Sequence, residues 1–469
     1  MTAARADTPS PQVCWYGDDF TGATDTLAHV ALAGWRSLLF LGVPTAAQRL
    51  RAGPLDALGI AGAARAMAPA DMVAALRPAG QYLAATGARV VHYKCCSTFD
   101  SAPHVGSIGA AVGELRRHLS NPFIPIVGGQ PGIGRYCSFA NLYARSGAAP
   151  DVHRIDRHPV MRAHPVTPMQ EADLRLHLGA QGLPDIASLP HTAYPRPRPG
   201  DDQGEIDRWI NSKLNTLAGP VLLDVIDDDQ LPLIGRLIWR AAARQPLLAV
   251  GPSSVQQALT GAAGLDAALT PPALAPAAGP VLVVAGSLSP VTARQLASSQ
   301  LYERKPLQVA RLLDDTAYAA ARVQAAAAAL AQGRHVLVHT DAPQAALSPE
   351  LTAATARATG QLVHDIVRAS AAAGRRLTRL GIAGGDTSSH AALALKLWGL
   401  SFHSVLAPGV TVSLAHADDP LADGLQLMLK GGQMGGDTLL DDLILGTRPP
   451  GAEPPYAGCR ARNPWIASR

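Results

Sequence analysis

The sequence predicts an α/β fold of two domains, each built on a mostly parallel sheet flanked by helices. Three observations predict it. Short β-like apolar runs alternate with Ala- and Leu-rich helical stretches from end to end, the pattern of βα units wound on parallel strands. At 469 residues the chain exceeds what one hydrophobic core usually supports. The stretch from Thr270 to Pro280, TPPALAPAAGP, is dense in Pro and Ala and reads as a linker. It sets the expected domains at 1–270 and 271–469.

Taken in order, strands are read at QVCWYG, SLLFLGV, ARVVHYKC, PFIPIVGG, PVLLDVI and PLLAVG in the first domain. In the second they are read at GPVLVVAG, RHVLVHT, RLGIAGG, TVSLAH and LQLMLK. The first helix is read as TLAHVALAGW, capped by Thr24 or Asp25 and ended by Gly34. After the strand VLVVA, Ser289 is a good N-cap and Pro290 suits the first helical position, where a missing N–H costs nothing. SHAALALKLW reads as the helix that follows Gly384–Ser388. The stretch from Leu189 to Gly204 reads as an irregular surface loop, and the tail after Arg448 is rich in Pro and Gly without periodicity.

The composition, 48% hydrophobic with only 4% aromatic residues, suits helices packed on sheets and excludes disorder, collagen and a disulfide scaffold. A formal net charge of +4 with no block of Lys or Arg gives no nucleic-acid surface. Cys14, Cys95, Cys96, Cys137 and Cys459 form no CxxC and no zinc spacing, so they read as free thiols in a reducing compartment. No basic-then-apolar leader is visible, and the longest apolar runs are strand-sized. The expectation is a cytoplasmic protein without a membrane partner, its assembly state open and a homo-oligomer included.

Ligands of open α/β sheets bind beyond the carboxyl ends of strands, where glycine turns lead into helices. The second domain offers three such turns: Gly286 to Pro290, Gly384 to Ser388, and Gly431 to Gly436. Glycine lets the backbone approach an anion, and the N–H groups of a helix start bind it. Any one turn is read first as an ordinary helix start; three in one half of the chain bring an anion or nucleotide site level with that reading. Neither GxxxxGK[ST] nor GxGxxG occurs.

The first domain carries the acids. Asp18 and Asp19 follow a strand and Asp25 lies at a helix start, where they could bind hydroxyls, hold Mg²⁺ or accept a proton. Helix capping accounts for only one of the three. After VVHY come Lys94, Ser97, Thr98, Asp100 and Ser101, a set that suits a carboxylate ligand or an ordinary turn. Arg157 to Pro165 packs Arg162 and His164 with a second Arg and a second His into a Pro-stiffened loop that favours anions over a metal.

WYGDDFTGATD, YKCCSTFDS with VGSIG after it, HPVTPMQEADL, GSLSPVT, GGDTS and KGGQMGG resemble, in this order, the four-carbon acid sugar kinase family. The resemblance runs from about Tyr16 to about Gly436. It implies a sugar-acid-binding N-terminal domain, an ATP-binding C-terminal domain and an active site in the cleft between them. It also implies transfer of the γ-phosphate, with Mg²⁺, to the terminal hydroxyl of threonate, erythronate, 3-oxo-tetronate or 3-oxo-isoapionate. On this resemblance Asp18, Asp19, Asp25, Lys94, Ser97, Thr98, Asp100, Arg162 and His164 fall on the sugar-acid side. Ser287, Ser289, Gly384, Gly385, Asp386, Thr387, Gly432 and Gly435 fall on the nucleotide side.

Three segments depart from the family pattern. GIGRYCSFANLYARSGAAPDVHRIDRHPVMR replaces an acidic, Ser-rich run, which leaves the substrate open. KGGQMGG stands for KSGNFG, and GPSSV from Gly251 stands for a GGSGL-like turn; both keep glycine where a backbone would approach phosphate. Of other two-domain α/β enzymes, an NAD-dependent sugar-acid dehydrogenase is disfavoured by the missing GxGxxG. A non-catalytic sugar-acid-binding protein on the same fold is disfavoured by the retained DDFTGATD and GGDTS.

Overall fold

The computed structural model describes residues 10–146, 150–164, 166–195, 203–264, 272–286, 289–341, 348–432 and 434–446. The chain separates into two compact units. One comprises Met1–Leu38, Gly42–Thr270 and Pro455–Arg469, the other Leu39–Leu41 and Pro271–Pro454.

The strands of the first unit are β1 (Val13–Gly17), β2 (Ser37–Phe40, whose end passes to the second unit), β3 (Ala57–Ala61), β4 (Val90–Lys94), β5 (Phe123–Val127), β6 (Arg135–Ser138), β7 (Asn141–Arg145), β8 (Val152–Arg154), β9 (Ala187–Leu189), β10 (Gly219–Leu223) and β11 (Leu247–Gly251). Its helices are α1 (Phe20–Leu32), α2 (Ala46–Arg51), α3 (Pro69–Ala85), α4 (Ile108–Leu115), α5 (Leu174–Gly179), α6 (Gln203–Leu214), α7 (Leu231–Ala242) and α8 (Ser254–Ala262). Strands run parallel in the order β3-β1-β4-β11-β5-β10-β9. Covered on both faces, the central strands VCWYG, VVHYK and LLAVG are buried at every residue, which is why they read as unbroken apolar runs. On α7, Leu231, Ile234, Leu237, Ile238 and Ala241 form the buried stripe. Gly235 lets α8 close on that stripe, since a Cβ there would lie 1.8 Å from the Ala258 carbonyl oxygen. A separate antiparallel sheet, β6-β7-β8, occupies the segment that departs from the family pattern.

The second unit holds β12 (Val281–Ala285), β13 (Glu303–Leu307), β14 (Val336–Thr340), β15 (Arg379–Ala383), β16 (Leu397–Ala407), β17 (Val410–Ala417) and β18 (Gln426–Lys430). Its helices are α9 (Pro290–Ser298), α10 (Val309–Asp314), α11 (Thr316–Ala331), α12 (Pro349–Ala372), α13 (Gly385–Ala394) and α14 (Leu439–Leu445). The order β13-β14-β12-β15-β18 is parallel, and β17 and β16 continue it antiparallel. Leu39 and Phe40 group with this unit by pairing antiparallel with Leu400 and Gly399. Its core gathers Val281, Val283, Leu337, Met428 and the apolar face of α14.

Two expectations need correction. The first helix starts at Phe20 with Asp19 as its N-cap, so Asp25 lies in its second turn and neither Thr24 nor Asp25 is the cap. SHAALALKLW is not all helix: α13 stops at Ala394, Lys396 takes a left-handed φ of 52°, and Leu397 opens the long strand β16. Among the described residues no helix is long and apolar enough to cross a membrane.

Candidate active site

Register fixes the first cluster. Gly17 of β1 pairs beside Ala61 of β3 and Lys94 of β4, and Gly251 of β11 beside Lys94. The residues that follow these strands therefore emerge at one edge, the carboxyl edge where open sheets take ligands. There Arg65, in the turn after β3, joins the two adjacent acids. Its Nε and Nη2 donate to Asp18 Oδ2 and Oδ1 at 3.1 and 2.9 Å, while Nη1 lies 2.7 Å from Asp19 Oδ2. Asp19 also takes the Gly22 N–H on Oδ1 at 2.7 Å and the Thr21 hydroxyl on Oδ2 at 3.0 Å.

The two acids differ in environment. Burial pushes the Asp18 carboxyl up, Arg65 opposes this, and the neighbouring Asp19 adds to it. Burial also acts on Asp19, but Arg65, Lys94, the Gly22 N–H and the Thr21 hydroxyl together hold it below the usual carboxylate range. The Lys94 ammonium donates to the Cys95 carbonyl at 2.9 Å and sits so close over Gly22 that a Cβ there would meet it at 2.6 Å. Asp25 faces elsewhere: its Oδ2 takes the Ser253 hydroxyl at 2.5 Å, and His29 Nε2 lies 3.7 Å from its Oδ1. Ser253 belongs to GPSSV, so this turn serves the acid side of the first unit.

Truncating Arg65 would leave Asp18, 3% exposed, with its fork empty. Arg65→Ala is expected to destabilise the protein by about 3–5 kcal/mol, the cost of an uncompensated buried charge. Urea unfolding of the two proteins measures this, and a loss below about 1 kcal/mol would show that the pair is not a structural element.

A second group forms beside it. The Thr167 hydroxyl donates to Asp100 Oδ1, and the Thr167 N–H donates to His164 Nδ1 at 3.1 Å, which lies 3.9 Å from Asp100 Oδ1. Thr98 is buried with its hydroxyl 3.0 Å from the Cys96 thiol. Ser101 instead serves the scaffold, bonded to Phe99, His177 and Gln181. Ser97 is half-buried and Arg162 exposed, and neither side chain has a partner among the described residues.

In the second unit the three glycine turns meet. Gly384, at a left-handed φ of 126°, opens α13 without a side-chain cap, and its N–H donates to the Lys430 carbonyl at 2.9 Å. Thr387 packs on Gly286 so closely that a Cβ there would lie 2.2 Å from its hydroxyl. Ser289 caps α9 through the Thr292 N–H at 3.1 Å and donates to the Gly432 carbonyl. Gln295 holds the Met434, Gly435 and Gly436 carbonyls at 3.0, 3.2 and 3.0 Å. Asp386 is exposed in the first turn of α13, beside Gly385. Ser287 lies outside the described residues.

Sequence reasoning missed the charge at the centre of this group. Lys430, 1% exposed, donates to Thr292 Oγ1, the Gly431 carbonyl and the Gly432 carbonyl at 3.1, 3.0 and 3.3 Å. No carboxylate among the described residues pairs with it, and burial lowers its ammonium to about 8. Arg65, Thr167 and Ser253 were missed as well. Lys430, Thr167 and Ser253 stand inside segments already singled out, whereas Arg65 carried no local signal.

Comparison with known proteins agrees with both halves. A sugar-binding N-terminal domain family matches residues 13–259, and a nucleotide-binding C-terminal domain family matches residues 282–440. A 3-oxo-isoapionate kinase of Paraburkholderia graminis is 38% identical over 451 residues, spanning 91% of this chain and 92% of that protein. A 3-oxo-tetronate kinase of Methylobacterium radiotolerans is 30% identical over 436 residues, spanning 89% and 95%. A solved Salmonella typhimurium protein, under a provisional tRNA synthase name, shares the fold with a TM-score of 0.70 at 24% identity, covering 93% of this chain and 98% of that one. From these matches, and from the motifs that the two clusters contain, the chain belongs to the four-carbon acid sugar kinase family.

Proposed function

We propose that this chain, a sugar-acid kinase by family, transfers the γ-phosphoryl group of ATP to the terminal hydroxyl of a small four-carbon or branched sugar acid, or of its 3-oxo form. The observation that carries the reading is the buried Lys430, paired with no carboxylate among the described residues, amid three glycine turns, a site suited to a polyanion. The N–H groups that open α13 at Gly385, Asp386 and Thr387, with the Gly432 and Gly435 turn, take the phosphates, while the Gly384 N–H holds the Lys430 carbonyl in place. Ser289 acts by holding the Gly432 carbonyl in place.

The acceptor belongs to the first unit. Asp19, ionised and 20% exposed at its side chain, orients the acceptor hydroxyl and takes its proton late in the transfer. Asp18 and Lys94 hold the charge of this edge through Arg65 and Gly22, and Asp25 is the alternative base. Thr98, Asp100 and His164 receive the sugar hydroxyls. Magnesium arrives with the nucleotide. It would be held through the substrate phosphates, water and one or two carboxylates, Asp386 among the candidates.

ADP release from ATP and Mg²⁺ against a panel of sugar acids and their 3-oxo forms tests the reading. The higher identity to the 3-oxo-isoapionate kinase puts a branched 3-oxo acid first on that panel. Turnover on one compound is the expected result. Silence with ATP still bound would move the acceptor outside the panel, and silence without ATP binding would overturn the nucleotide site.

A further inference from the structure

Arg135 opens β6, in the segment where the chain departs from its family's pattern. One end of its guanidinium is fixed: Nη1 donates to the carbonyls of Ile133, Gly134 and Arg145 at 3.1, 3.3 and 3.2 Å. His158 fixes the same Arg145 carbonyl from the other side. Its Nδ1 accepts the Val160 and Met161 N–H groups at 3.2 Å each, so Nε2 carries the proton that reaches Arg145 at 3.2 Å. The opposite edge of Arg135 is uncommitted. Nε is buried without a hydrogen-bond partner, Nη2 has none among the described residues, and no carboxylate there pairs with the side chain.

That Nε/Nη2 edge is the fork with which Arg65 grips Asp18, and its two parallel N–H bonds match a carboxylate. Arg135 pairs with Gln130, just past the end of β5, and β5 neighbours β11, whose Gly251 ends beside Lys94. The fork therefore stands at the same carboxyl edge of the sheet as Asp18, Asp19 and Thr98. We infer that Arg135 is the carboxylate receptor of the acceptor site, its Nε/Nη2 edge gripping the substrate's carboxylate and so selecting sugar acids over neutral sugars. The inference rests on the proposed kinase reading. Burial lowers the Arg135 guanidinium from its ordinary range, with Cys96 and Tyr136 offsetting part of that, so the empty site carries a desolvated cation that a bound anion compensates.

Arg135→Gln and Arg135→Lys test it, because lysine keeps the charge but lacks the planar fork. Both are expected to raise KM for the sugar acid by about 100-fold with kcat within a few-fold, and to reduce the preference for the acid over its neutral amide by a similar factor. KM for ATP and the melting temperature without substrate report intact folding. Phenylglyoxal labelling of the unmodified protein, read at the Arg135 peptide, covers the case where both variants unfold. The sugar acid is expected to protect Arg135 and the amide is not. Unchanged KM and preference in a folded variant, or absence of protection, would overturn the inference. Protection without any ATP turnover would uphold Arg135 and overturn the kinase reading instead.

Discussion

Asp19→Asn is expected to lower kcat by about 10²–10⁴-fold, the range a positioned base contributes, while the protein stays folded and binds ATP. The fold should survive because asparagine caps helices as well as aspartate does. Its side-chain oxygen can still take the Gly22 N–H that Asp19 Oδ1 takes at 2.7 Å. What disappears is the negative charge opposite Arg65 and the acceptor for a substrate proton. Asp19 suits that role better than Asp18, which is 3% exposed with both oxygens in the Arg65 fork, because the Asp19 side chain is 20% exposed at the same edge; Asp25 faces Ser253 instead. The pH dependence follows with a definite sign. Arg65 and Lys94 outweigh burial and keep the folded Asp19 carboxyl below its ordinary value. Its ionised form, and the stability it contributes, is therefore present above the usual carboxylate range and lost only as pH falls through the lowered value. Steady-state kcat, ATP affinity and melting temperature of the variant are the measurements. Retained turnover would transfer the role to Asp25 or Asp18.

The sequence made some of these groups legible and hid others for identifiable reasons. Parallel strands covered on both faces must be apolar throughout, so VCWYG, VVHYK and VLVVA declare themselves. The strand β16 did not, because LALKLWGLSF is apolar across the junction and the break rests on a left-handed Lys396 rather than a glycine. Asp19 was hidden as a cap because Thr21 and Gly22, within the first turn of α1, read as loop residues. The partners of the acids lie far off in the chain. Arg65 reaches Asp18 across 47 residues, and Ser253 reaches Asp25 across 228, through strand register that no local pattern carries. Glycine turns were legible as turns, yet composition did not say which unit GPSSV serves.

Lys430→Met is expected to have opposite effects on stability and on binding. Burial of an ammonium whose partners among the described residues are all neutral oxygens lowers it from 10.5 to about 8. Between these values the unfolded chain holds a proton that the folded one has released, so stability rises with pH across that window. Below about pH 8 the penalty is fully present, on the order of 3 kcal/mol at 1.36 kcal/mol per pKa unit. Methionine keeps the length of the side chain and removes the charge. The variant should therefore melt above the native protein near pH 7 in the absence of nucleotide, and the difference should shrink as pH rises through the window. Nucleotide binding should move the other way, weakening by about 10²–10³-fold as a phosphate contact to a buried charge is lost. The native protein's own affinity for ATP should fall as pH rises past about 8 and the ammonium loses its proton. Melting curves with and without ATP across this pH range read all three effects. A variant that melts lower at neutral pH while binding ATP normally would mean that Lys430 is a structural clamp for the Gly431–Gly432 turn. The phosphate contact would then have to come from the backbone N–H groups of α13 alone.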